Sequence, residues 1–110
     1  MPVKQSGRLN AIEEEIQRIK QQLLSIGEMR PGSLTVQYRR PKEKQHAFNQ
    51  LSYTHNMKSR SCYIRKEFVG DLKRQIKAYK LFKSLTKRWV DLAIQHSKLK
   101  IDIANKKRQY

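Results

Sequence analysis

Three histidines, one cysteine and nine carboxylates are the groups in this chain able to ligate a metal or move a proton. His46, His55 and Cys62 follow one another at nine and seven residues, with His96 far downstream. Paired zinc ligands need much closer spacing, so no metal site is expected. A Cys62–His55 pair across two strands reads as packing rather than as a nucleophile with its base. The carboxylates fall mostly on helical stretches, and there is neither a glycine-rich phosphate loop nor a nucleophile motif. The expectation is a protein that is not an enzyme, with no catalytic residues and no cofactor.

The cations carry a stronger signal. Lys and Arg number 25 against nine acidic residues, a formal charge of +16 in 110 residues. Such a field attracts polyanions, of which nucleic acid is the commonest inside a cell. The charge is unevenly spread. Residues 1–29 balance Lys4, Arg8, Arg18 and Lys20 against Glu13, Glu14, Glu15 and Glu28. Residues 30–66 set nine cations against Glu43 alone, net +8, and residues 67–110 carry the remaining +8.

In the middle segment Arg39, Arg40, Lys42 and Lys44 crowd one loop, and Lys58, Arg60, Arg65 and Lys66 crowd the next turn and strand. Phe48, Tyr53 and Tyr63 are interleaved with them. A sheet that presents aromatic rings beside guanidinium groups can stack bases and hold phosphates. Phe48 and Tyr53 read first as sheet core, whereas Tyr63 alternates away from Cys62 and Ile64 and is expected at the surface. Lys73, Lys77, Lys80 and Lys87 fall within about 80° of one another on a helix, a rail for unspecific phosphate contacts. These thirteen positions, the three aromatics reduced to Tyr63, form the expected nucleic-acid-binding set.

The elements that must position them follow from periodicity. Leu9, Ile12, Ile16, Ile19, Leu23 and Ile26 recur at alternating steps of three and four, predicting a helix over 8–26 that Ser6 caps and Gly27 and Pro31 end. Its acidic cluster, Glu13–Glu15, would favour the positive end of the helix dipole. Leu34, Val36 and Tyr38 alternate with polar residues as in a strand, Phe48–His55 reads as a second, and Ser61–Arg65 as a third with Cys62 and Ile64 inward. The sheet spans 33–65. From 67 to 106 one long helix of about 60 Å carries Leu72, Ile76, Tyr79, Phe82, Leu85, Trp89, Leu92, Leu99 and Ile103 along a seam.

The expected fold is therefore α+β, α-β-β-β-α in a single domain over 1–110, with the two helices packed antiparallel. The longer helix would leave seam uncovered around Trp89, Leu92, Leu99 and Ile103. That surplus would serve a homodimer or dock a protein partner with an acidic surface, a coiled-coil adaptor being the rival reading.

The lone cysteine, the lack of an 18-residue apolar run and the absence of an apolar leader point to a reducing, cytoplasmic setting without membrane association.

Pro31-Gly32-Ser33-Leu34, Tyr38, Leu51-Ser52-Tyr53, Arg60 and Tyr63-Ile64, leading into a helix with Ile76, Tyr79 and Phe82, form a recognisable order. Over roughly residues 9–95 it resembles a family of small prokaryotic domains of unknown function found among mobile-element and phage genes. Many of that family carry cysteines and glycines before the second strand; here Arg40-Pro41-Lys42-Glu43-Lys44-Gln45-His46 contains neither. The resemblance implies the order of elements and a link to mobile DNA, with no metal-binding loop. It favours DNA over RNA for an accessory factor, an RNA-binding subunit of a ribonucleoprotein being the alternative.

Overall fold

The computed structural model describes residues 3–40, 42–43 and 45–108. The order is α1 (Val3–Leu24), β1 (Ser33–Arg40), β2 (Gln45–His55), β3 (Lys58–Ile64), a single 3-10 turn at Lys66–Phe68 and α2 (Val69–Arg108). The fold is the α-β-β-β-α arrangement expected from the periodicities. The chain divides into two compact units: the residues up to Ile26 with those from Phe82 onward, and Gly27–Leu81.

The first unit is a pair of helices. Ile19 of α1 and Leu92 and Leu99 of α2 are buried, with Leu9, Ile12, Ile16, Leu23, Leu85, Trp89 and Ile103 half-buried around them. The antiparallel register shows in two polar contacts. The Arg88 guanidinium donates Nε to Glu15 Oε1 and Nη2 to Glu15 Oε2, each at 3.2 Å. His96 Nε2 lies 2.9 Å from Glu13 Oε1.

These contacts correct two expectations. Glu13 and Glu15 stand well inside α1, whose first turn holds no acidic residue, and they face His96 and Arg88 of α2 rather than the helix dipole. Trp89, Leu92, Leu99 and Ile103 are not surplus seam; Leu92 is 1% exposed, and α1 is the partner helix. The Lys20 ammonium also sits 5.3 Å from the Trp89 ring centroid. α1 starts before Ser6 and ends three residues short of Gly27, where Ser25 Oγ donates to Gln22 O at 2.6 Å and closes the last turn.

The second unit places the first turns of α2 on an antiparallel sheet ordered β1-β2-β3. Leu34 pairs with Leu51 and Leu51 with Cys62, so Leu51 occupies the centre of one face. Leu51 is fully buried against Leu72 and Ile76, one helical turn apart, with Leu34, Tyr53 and Ile64 at the margin. Burying one such leucine contributes about 2 kcal/mol.

Gly32 enters β1 at φ 145°, and a Cβ there would stand 2.6 Å from Leu51 Cδ1. The preceding loop is tied to α2: Arg30 N donates to Gln75 O at 3.1 Å, and Gln75 Nε2 donates to Glu28 Oε2 at 3.3 Å and Asp71 Oδ2 at 3.0 Å.

β2 and β3 both begin three residues before their expected starts. Asn56 and Met57, both at positive φ, make a two-residue turn where a five-residue one was expected. Two positive φ values in a row match the strands' right-handed twist. Cys62 shares a face with Leu51 but lies on the edge strand and is exposed, against expectation.

Candidate nucleic-acid interface

Strand alternation sorts the sheet's cations between two faces. On the face carrying Leu51 lie Arg40, Lys58 and Arg60, the last directly opposite Tyr53. Arg39 alternates to the other face, which carries Thr35, Gln50 and Tyr63 in one cross-strand row and Ser33, Ser52 and Ser61 in the next. Residues of this second face are exposed or half-buried. It is the sheet's open face.

The meander also separates the cations lengthwise. Arg39, Arg40 and Lys42 stand where β1 gives way to β2, and Arg65 and Lys66 leave β3 toward that end, since Ile64 pairs with Asn49. Lys58 and Arg60 flank the Asn56–Met57 turn at the other end. The eleven residues of β2 between these ends cover about 33 Å. The two basic clusters are thus opposite ends of one sheet. Lys44 lies outside the described residues. Lys73, Lys77 and Lys80 are exposed along the α2 segment of this unit, and Lys87 is exposed in the helical pair.

Among the described residues, carboxylates neutralise few of these charges. Arg40 meets Glu43 at 3.7 Å, and Arg74 meets Asp71 at 3.4 Å. Arg39, Lys42, Lys58, Arg60, Arg65, Lys66, Lys73, Lys77 and Lys80 form no ion pair with a described carboxylate.

Tyr63, 64% exposed, stands as expected at the surface, and it has a neighbour there that was expected in the core. Phe48 is on the open face with its ring centroid 6.2 Å from that of Tyr63 and the planes inclined by 40°. The signal was present: Phe48 has the parity of Gln50, Ser52 and Thr54, not that of Leu51 and Tyr53.

Two further residues escape a reading by strand periodicity because they lie outside the strands. The Arg30 guanidinium sits 5.2 Å from the Tyr53 ring centroid, over the margin of the core. Phe68, in the 3-10 turn before α2, is 56% exposed. Arg30, Arg65, Tyr63 and Phe68 line a cleft of ≈ 350 Å³ along the β3 edge, together with Ile64, Leu72 and the Asp71 carboxylate.

His46 and His55 are exposed and His96 is engaged with Glu13; among the described residues no three His, Cys, Asp or Glu side chains are grouped to hold a metal ion. Nor, among those residues, is any helix long and apolar enough to cross a membrane. No protein-family model, curated protein or solved structure matches the chain.

Proposed function

We propose that this is a non-enzymatic nucleic-acid-binding accessory protein that holds the phosphate backbone with its sheet and the lysines of α2. The observation that carries the reading is the uncompensated charge of residues 30–66: net +8, with only Arg40 among its cations ion-paired to a described carboxylate. Exposed cations without internal partners are free to displace counterions from phosphates, which is the main source of affinity in such complexes. The arginines add shape, because a planar guanidinium can hold a phosphate or a guanine edge with two bonds. DNA linked to a mobile element is the favoured ligand on the resemblance of the Pro31–Ile64 motifs, and a structured RNA in a ribonucleoprotein is the alternative. Either setting is cytoplasmic.

Fluorescence anisotropy with single- and double-stranded DNA and RNA at two salt concentrations tests this. With 6–10 phosphate contacts, affinity falls by roughly 10³–10⁵ between 50 and 200 mM salt. Weak binding to all four at low salt refutes the reading.

A second reading, an adaptor for an acidic protein partner, is favoured by a separate observation. Val90, Ile94 and Ile101 are 58%, 49% and 56% exposed at steps of four and seven along α2, on a side away from the buried Leu92 and Leu99. This stripe, rather than the Trp89–Ile103 seam, would be the docking surface on α2. Ile94→Lys separates the readings: it leaves nucleic-acid affinity intact under the first and destroys the docking surface under the second.

A further inference from the structure

We propose that the open face of the sheet takes a single strand of nucleic acid, with bases stacked on Phe48 and Tyr63 and the strand passing over the β3 edge into the cleft of Arg65, Phe68 and Arg30. The inference rests on the nucleic-acid reading above and adds which form of nucleic acid is bound and how.

Three observations converge on it. First, two aromatic rings stand side by side on the open face rather than in the core, Tyr63 being 64% exposed and Phe48 half-buried. Rings so placed can stack only on bases whose faces are free, and in a duplex those faces are covered by neighbouring base pairs.

Second, the face around them repels neither phosphate nor base. Its cross-strand rows, Ser33–Ser52–Ser61 and Thr35–Gln50–Tyr63, contain no carboxylate. Their hydroxyls and amides can donate to phosphate oxygens or to base edges. Part of this polar lattice is already fixed, with Thr54 Oγ1 and Ser59 Oγ 2.9 Å apart and Gln37 Nε2 donating to Thr35 Oγ1 at 3.1 Å.

Third, the rings have a continuation. Tyr63 also lines the cleft of ≈ 350 Å³ whose other walls include Phe68, the guanidinium-bearing residues Arg30 and Arg65, and the Asp71 carboxylate, which Arg74 and Gln75 already engage. Aromatic and cationic groups thus lie together from Phe48 to Arg30, which suits a ligand that combines flat bases with phosphates.

The test compares a thymidine oligonucleotide with an abasic strand of equal length and phosphate count, and with a duplex, at fixed low salt. The base-bearing single strand is expected to bind at least tenfold more tightly than the abasic one. Phe48→Ala and Tyr63→Ala should each cost it about 5- to 140-fold while leaving the abasic strand unchanged. Phe48→Tyr, which keeps a ring, should retain the difference, and far-UV circular dichroism verifies that each variant keeps its fold. Equal binding of base-bearing and abasic strands overturns the proposal while leaving the nucleic-acid reading intact, as does tighter binding of the duplex. Failure to bind any strand or the duplex overturns both.

Discussion

Phe48 and Tyr63 sit diagonally across the β2–β3 ladder, their ring centroids 6.2 Å apart, with Gln50 the direct partner of Tyr63. Aromatic pairs of this kind add about 0.5–1.5 kcal/mol beyond their buried area. Here little area is buried, because Tyr63 is mostly exposed on an edge strand. The fold therefore draws less from these rings than their size allows. Tyr63→Ala should lower stability by no more than about 1 kcal/mol in thermal denaturation, consistent with an exposed site. A collapse of the fold would mean that the ring is structural.

The basic residues at the two ends of the sheet should bind phosphates independently. Arg39 stands beside His46 in the meander and Arg60 opposite Tyr53, seven residues further along β2, which is about 23 Å. Replacing Arg39, Arg40 and Arg60 by Ala should reduce the slope of log K against log salt by roughly 2–3, at about 0.7–0.9 for each phosphate no longer neutralised. A strand too short to span both ends should respond to Arg39→Ala or to Arg60→Ala, not to both. An unchanged slope in the triple variant places the phosphate-binding groups elsewhere.

Much of the fold was legible because period and parity leave local marks. The step pattern of Leu9–Leu23 specified a helix, and the alternation of Leu34, Val36 and Tyr38 a strand. Parity also assigned Tyr63 to the surface. What local pattern could not give was which stretch of α2 each partner covers. The sequence shows one continuous seam from Leu72 to Ile103; the sheet takes Leu72 and Ile76, and α1 takes Leu92 and Leu99. That division is a matter of tertiary register. Arg30 reads in the sequence only as a charge, because its placement depends on the loop tied to Gln75, a partner 45 residues away. Cys62 departs from its expected burial because parity identifies a face but not whether an edge strand is covered.

Gly32 should be intolerant of any side chain. A Cβ would meet Leu51 Cδ1 at 2.6 Å and Ser52 O at 3.2 Å, at a φ of 145° that L residues rarely adopt. Leu51 is the fully buried centre of the sheet core, so it has little room to yield. Gly32→Ala should cost about 2 kcal/mol or more, from overpacking and backbone strain together, and lower Tm by several degrees. A wild-type Tm would show that the entry to β1 can rearrange.

Met57 invites the opposite change. It holds φ 64° at the second position of the β2–β3 turn, and its side chain is fully exposed. Removing that side chain uncovers nothing, and Asn-Gly is the preferred pair for a turn with two positive φ values. Relief of left-handed strain, about 1–2 kcal/mol, outweighs the added freedom of glycine in the unfolded chain, roughly 0.5–1 kcal/mol. Met57→Gly should raise Tm by a few degrees without altering ligand affinity. A lower Tm would mean that the unfolded-state entropy is the larger of the two.

Leu92 and Ile94 test which side of α2 faces α1. They are two residues apart, about 200° around the helix, and are 1% and 49% exposed. Leu92→Ala removes a fully buried side chain from the helical pair and should cost about 2–5 kcal/mol, with loss of helical signal as the unit loosens. Ile94→Ala deletes a half-exposed side chain and should cost less than about 1 kcal/mol. Chemical denaturation of the two variants decides the matter. Comparable losses would mean that Ile94 is covered in solution, which would make the Val90–Ile94–Ile101 stripe an interface already occupied by another copy of the chain.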